Sequence, residues 1–165
     1  ATDLSPNSVF AFRFATAIAR QHGARIVILH VLERIQGSTK ALIAAYISEE
    51  QIHSMEGQKR EKVMGEIRRR LDLLCQEECR LDAGLMERVE RIEVCEGYPA
   101  EEILQQAKKF DCDLIVMGSH GKGLLENTFV GSVTRQVLRR TRMPVTVIPL
   151  PKGQVEEPPG AGAAA

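Results

Sequence analysis

Apolar and polar positions along the chain change period several times, and the changes mark its elements. Phe10, Phe14 and Ile18 recur every four residues, the spacing of one buried helix face. Ser5-Pro6 precedes them as a capping hydroxyl with proline at the first helical position, and Gly23 follows, so a helix is expected over residues 6–22. Ile26 to Leu32 is a nearly continuous apolar run, the pattern of a parallel strand covered on both faces. Gln36 to Thr39 reads as a loop, and Ala41 to Ile47 is apolar enough to pack on something. From Glu49 to Leu81 the pattern is helical and charged.

Val89 to Cys95 is half polar, with Val89, Ile92 and Val94 set among charges, and suits a sheet edge. Gly97-Tyr98-Pro99 opens another helix, whose first turn carries Glu101 and Glu102 where acids favour the dipole. Asp113 to Met117 is a second buried strand, Ser132 to Arg142 a helix with arginines at its negative end, and Pro144 to Leu150 a final strand. Helix and strand alternate throughout, with a further strand implied before Asp3. Such alternation predicts an α/β fold, doubly wound, with a parallel sheet, right-handed crossovers and helices on both faces. One domain is expected over residues 1–150. Residues 151–165 are rich in proline, glycine and alanine and read as a disordered tail. The chain opens at Ala1, with Thr2-Asp3 resembling the end of an element, so its first strand is expected to be truncated.

Composition narrows the function. The 22 basic and 22 acidic residues cancel, giving no general support to nucleic-acid or anionic-membrane binding. Lys59-Arg60 and Arg68-Arg69-Arg70 are interleaved with Glu56, Glu61, Glu66 and Asp72, which describes a solvated helix face. No apolar run approaches the ~20 residues that span a bilayer, and a cytoplasmic protein is expected. Val63, Ile67, Leu71, Cys75 and Cys79 fall every four residues, so both thiols continue an apolar face. Adjacent turns of one helix suit a disulfide poorly. Cys95 and Cys112, in or next to strands, read as structural too.

The chemistry concentrates near the C-terminus. Met117-Gly118-Ser119-His120-Gly121 is followed by nine residues and then Gly131-Ser132-Val133-Thr134. A strand usually reaches its helix through about two to six residues. This connection is longer and has glycines at both ends. Glycine lets backbone amides approach an anion and permits positive φ, and the free amides of a helix N-terminus favour phosphate. The Ser132 and Thr134 hydroxyls can add hydrogen bonds. His120 suggests acid–base chemistry, yet no histidine, cysteine or carboxylate accompanies it at ligand spacing, and a loop residue touching phosphate or solvent is the simpler reading. His30 reads as a hydrogen-bonded core residue, with His22 and His53 at the surface.

The Gly-x2-Gly-x9-Gly-Ser spacing resembles the ATP-binding signature of the universal stress protein family. The likeness extends to Ala1 to Ser5 as the end of a first strand, His30-Val31 as the end of a second, Gly97 to Ala100 as a helix start and Pro144 to Ile148 as the last strand. It implies a Rossmann-like, adenine nucleotide alpha hydrolase-like fold, a five-stranded parallel sheet in the order 3-2-1-4-5, with the ligand where chain direction reverses. By position, the resemblance puts the Asp3 carboxylate and the Val31 backbone at adenosine. Met117, Gly118, Ser119 and His120 then line ribose and α-phosphate, and Gly121, Gly131, Ser132, Val133 and Thr134 cradle the phosphates. From sequence alone Asp3 serves equally well as a turn acid. Magnesium or manganese would ride on ATP, and a homodimer would form through the edge of Val145 to Leu150.

Three readings follow: an ATP-binding regulator in stress response with at most slow hydrolysis, an ATP-consuming enzyme of related fold, or an interaction module with a non-functional loop. A Walker-type ATPase is disfavoured, because Gly118 to Gly123 has the wrong spacing and no Lys-Ser/Thr pair.

Overall fold

In the computed structural model the described residues are 1–33, 49–79, 86–120 and 130–149. The loop at 36–39, the apolar stretch at 41–47, Gly121, Leu150 and the tail at 151–165 lie outside them. Helix α1 (Pro6–His22) starts at a proline and stops at Gly23, whose φ of 65° turns the chain so that its amide meets Ala19 O. The expected serine cap is not made. Ser5 Oγ instead donates to Asp3 Oδ1 at 2.6 Å, and Ser5 N donates to the same oxygen at 3.0 Å. This charge-assisted bond to the carboxylate turns the hydroxyl toward Asp3 and away from the helix amides that a capping oxygen would accept from.

Strand β1 (Ile26–Glu33) pairs in parallel with β2 (Val89–Gly97), His30 facing Val94 and Val31 facing Cys95. Strand β3 (Ile115–Gly118) pairs in parallel with β4 (Val145–Ile148), Met117 facing Val147. These four are the second to fifth strands of the sequence reading. The described residues form two two-stranded sheets rather than one continuous ladder of five. Among the described residues, Ala1 and Thr2 stand between the pairs. Thr2 forms a parallel bridge with His30 and donates its amide to Leu29 O at 2.9 Å. The Ala1 amino group donates to Val116 O at 2.8 Å.

Helices α2 (Glu49–Cys79), α3 (Pro99–Lys109) and α4 (Ser132–Arg140) complete the alternation. Two apolar clusters form, and β1 feeds both by alternation: Ile26 and Ile28 pack with Phe12, Leu71 and Cys75, while Leu29 packs with Ile103, Met117 and Val137. Helix α2 contributes part of the expected four-residue stripe, with Leu71 and Cys75 buried and Ile67 packed against them, whereas Val63, one turn earlier, is exposed. Arg13 of α1 grips Glu78 of α2 with two parallel hydrogen bonds, Nε to Oε2 at 2.7 Å and Nη2 to Oε1 at 2.8 Å.

On the outer face of α2, Arg69 and Arg70 meet Glu66 at 2.8 and 3.4 Å. The hydrogen bond from Arg69 is the main cause holding Glu66 down to about 2, so this charge run is internally paired and solvated. Cys75, Cys95 and Cys112 are reduced. Burial pushes the Cys95 thiol up to about 11 and raises Cys112 as well, which suppresses the reactive thiolate. Helix α4 ends two residues before the expected Arg142. Thr141 is extended, and its Oγ accepts the Met143 amide at 2.9 Å, turning the chain into β4.

Candidate functional site

The ends of β3 and α4 are tied together by backbone. Ser119 N donates to Ile148 O at 2.8 Å, so β4 supports the turn that leaves β3. Ser119 O accepts the Gly131 amide at 2.7 Å, closing the long connection on itself. Thr134 Oγ1, buried at 4% exposure, donates to Gly118 O at 2.9 Å. Val137, fully buried in the cluster with Ile103, Ile115 and Met117, anchors α4 from below.

The two described glycines of this connection work by close approach. A Cβ on Gly131 would sit 3.3 Å from Ser119 O, and one on Gly118 would sit 3.2 Å from His120 O. The expected positive φ is absent from both: Gly131 has φ −64°, and Gly23 alone among the described glycines is left-handed. The demand on these residues is for space between two stretches of backbone and not for a left-handed turn.

Helix α4 begins without a side-chain cap and without an acid in its first turn. Its first internal bond runs from Arg135 N to Gly131 O at 3.0 Å, so the amides of Ser132, Val133 and Thr134 come before any intrahelical acceptor. Helix α3 contrasts, with Glu101 and Glu102 near its positive end. The α4 terminus therefore keeps its partial positive charge. Ser132 is exposed there, Val133 is half-buried, and Gly131 is half-buried at the N-cap.

The other expected site residues fall as follows. Met117 is buried in β3 and faces the core cluster. Ser119 is buried at 7% exposure, and its Oγ lies 3.0 Å from His120 Nδ1. Thr134 was expected to touch phosphate with its hydroxyl; that proton goes to Gly118 O, so the side chain acts as a strut. Asp3 makes the turn contacts with Ser5 described above, both ending on Oδ1. The bridge of Thr2 to His30 and the bond from Ala1 to Val116 set Asp3 beside Val31 in the later part of β1 and toward the Gly118 end of β3. Gly121 lies outside the described residues. No sequence signal marks the Ser119 carbonyl as the acceptor for Gly131, because any residue supplies a carbonyl.

Among the described residues, no group of three or more His, Cys, Asp or Glu side chains is placed to hold a metal ion. No described helix is long and apolar enough to cross a membrane.

The model of the universal stress protein family matches residues 1–149. Universal stress protein MJ0577 of Methanocaldococcus jannaschii is 26% identical over 151 residues, covering 89% of this chain and 90% of that protein. A solved structure of MJ0577 superposes with a TM-score of 0.69 at 25% identity, covering 91% of this chain and 92% of that one. A universal stress protein of Thermus aquaticus, encoded 3′ of a QAH/OAS sulfhydrylase, is 30% identical over 150 residues, covering 90% of this chain and 94% of its own length. Another universal stress protein, solved in complex with cAMP, shares the fold at 19% identity and a TM-score of 0.51, covering 89% of this chain and 91% of that one. The chain belongs to the universal stress protein family.

Proposed function

We propose that the chain is an ATP-binding regulator of the stress response, working in the cytoplasm as a homodimer, with hydrolysis slow or absent. One observation carries this reading. An uncapped, acid-free helix N-terminus is fixed against the end of a parallel strand by two hydrogen bonds, Gly131 N to Ser119 O and Thr134 Oγ1 to Gly118 O. The donor set fits a polyphosphate: amides and a helix dipole favour anions without a lysine clamp.

In this reading the amides of Ser132, Val133 and Thr134 hold the phosphates, Gly121 and Gly131 give the backbone room to approach them, and the exposed Ser132 hydroxyl adds a donor. Gly118, Ser119 and His120 border the ribose and α-phosphate, and Met117 fixes the strand beneath them. Asp3 and the Val31 backbone receive the adenosine. Asp3 retains Oδ2 for this, since both bonds from Ser5 use Oδ1. Magnesium or manganese would be carried by the phosphates and would neutralise their charge. The dimer would form along the edge of β4, extended to Leu150.

Thermal unfolding with ATP and magnesium tests this. At a ligand concentration a hundred times Kd, a site adds about 2.7 kcal/mol, or roughly 5–10 °C for a chain of this size. That shift is the expected result, and no shift up to millimolar ATP would remove ATP binding. Steady turnover well above roughly one per minute, against typical enzymes at about 10 per second, would favour an ATP-consuming enzyme instead.

A further inference from the structure

Helix α4 carries charge of one sign on the side it turns away from the sheet. Between residues 130 and 149 stand Arg135, Arg139, Arg140 and Arg142 with no Asp or Glu, although the chain as a whole is neutral. Thr134 and Val137 form the buried side of the helix, while Ser132, Arg135, Gln136, Leu138, Arg139 and Arg140 are exposed. Arg140 is turned to α3, where its Nη1 donates to Glu101 Oε1 at 3.2 Å. Among the described residues, the side chains of Arg135 and Arg139 make no hydrogen bond or ion pair.

The helix itself accounts for part of this pattern. Arg139 and Arg140 lie in the last turn, where cations favour the dipole. Arg135 does not fit that account. It is the fourth residue of the helix, close to the positive end, and side chains tilt toward that end. It also stands one turn from Arg139, the spacing at which like charges repel. Helix α2 shows the other arrangement, since Arg69 and Arg70 both meet Glu66 within their own helix. In α4 an anion that answers Arg135 and Arg139 has to come from outside the helix.

The patch also says what kind of anion fits. Leu138, 43% exposed, follows Arg135 by three positions and adjoins Arg139. A single exposed leucine is ordinary. Set between two arginines, it gives the surface an apolar centre and a charged border, the make-up of a protein contact. Nucleic acid is served less well, because neither α4 nor β4 contains an aromatic residue on which a base could stack.

We propose that the outer face of α4 docks an acidic segment of another protein. The segment is a helix with two carboxylates one turn apart, one for each guanidinium of Arg135 and Arg139. An apolar side chain on the same face of the segment covers Leu138. The docking does not depend on a nucleotide at the first turn of α4.

The test titrates the 165-residue chain into a fluorescein-labelled peptide of repeated Glu-Leu-Ala-Ala and, in parallel, into its Gln-Leu-Ala-Ala counterpart, with anisotropy at low salt as the readout. The glutamate peptide is expected to bind at least about tenfold more tightly. Arg139→Glu is expected to weaken that binding about tenfold and Leu138→Ala about threefold, both with native circular dichroism. Arg68→Glu, which changes the net charge equally on an exposed part of α2, should leave the affinity within about twofold. No saturable binding of the glutamate peptide up to millimolar, or equal losses for Arg139→Glu and Arg68→Glu, would overturn the proposal. Three other occupants would also overturn it. Duplex DNA that binds more tightly than the peptide and ignores Leu138→Ala would assign the face to nucleic acid. Self-association that Leu138→Ala abolishes while peptide affinity stays unchanged would assign it to a second copy. A gain in peptide affinity when Glu156 and Glu157 are both replaced by glutamine would assign it to residues 151–165 of the same chain.

Discussion

Gly131→Val is expected to weaken ATP binding by roughly a hundredfold or more, about 2.8 kcal/mol at 1.4 per tenfold, while the far-ultraviolet circular dichroism stays native. The N-cap backbone, φ −64° and ψ 162°, is open to any residue. The fold should therefore survive. The site should not, because the new Cβ would stand 3.3 Å from Ser119 O and 3.6 Å from His120 Cα. The first distance is tighter than most side-chain contacts, so the Ser119 carbonyl must give by a few tenths of an ångström, and the methyl groups of valine add further bulk at the same place. The amides of Ser132 to Thr134 then move away from the end of β3. Gly131→Ala, with the smaller group, should fall between valine and the native chain. Titration calorimetry decides it, and a valine variant that binds ATP within about threefold of the native chain would separate the phosphates from this helix.

The second large effect concerns stability alone. Leu71→Ala should cost about 2–5 kcal/mol, the range for emptying a buried leucine site, seen as a fall in midpoint of about 2–4 °C per kcal/mol. Leu71 has no exposure and packs among Phe12, Ile26, Ile28 and Val94. It is the contact through which the charged helix α2 is seated on the sheet. Leu73, two residues on and 44% exposed, supplies the control: Leu73→Ala should change stability by no more than about 0.5 kcal/mol. Similar losses at both positions would mean that α2 is held by something other than its buried stripe.

Both expectations draw on features with different visibility in the sequence. The stripe through Ile67, Leu71 and Cys75 is a local periodicity, and so is the unbroken run of β1; the helix period and the doubly covered strand write themselves into neighbouring residues. Helix boundaries were legible where a backbone-specific residue enforced them, at Pro6, Gly23 and Pro99. The end of α4 was not, because it is set by the Thr141 hydroxyl turning toward Met143, a choice that depends on where β4 begins.

For the candidate site, spacing marked the two arms at Gly118 and Gly131 and gave two reasons for glycine there, room for close approach and freedom of φ. The described structure uses the first, and neither glycine has a positive φ. The Thr134 hydroxyl, read as able to add a hydrogen bond to phosphate, donates to Gly118 O. Ser5 read as a cap, and its hydroxyl donates to Asp3. In each case the folded chain offers the side chain a protein partner, from another element or from the turn before the helix, that local pattern does not mark.

The central claim is that ATP rests its phosphates on the first turn of α4. Backbone amide resonances in a nitrogen-15 correlation spectrum, followed while ATP and magnesium are added, test it most directly. The account predicts the largest shifts at Ser132, Val133 and Thr134, with smaller ones at Gly131 and at Gly118 to His120, and little change for exposed residues of α2 such as Arg68 and Leu73. Saturable shifts that leave Ser132 to Thr134 unmoved would contradict it.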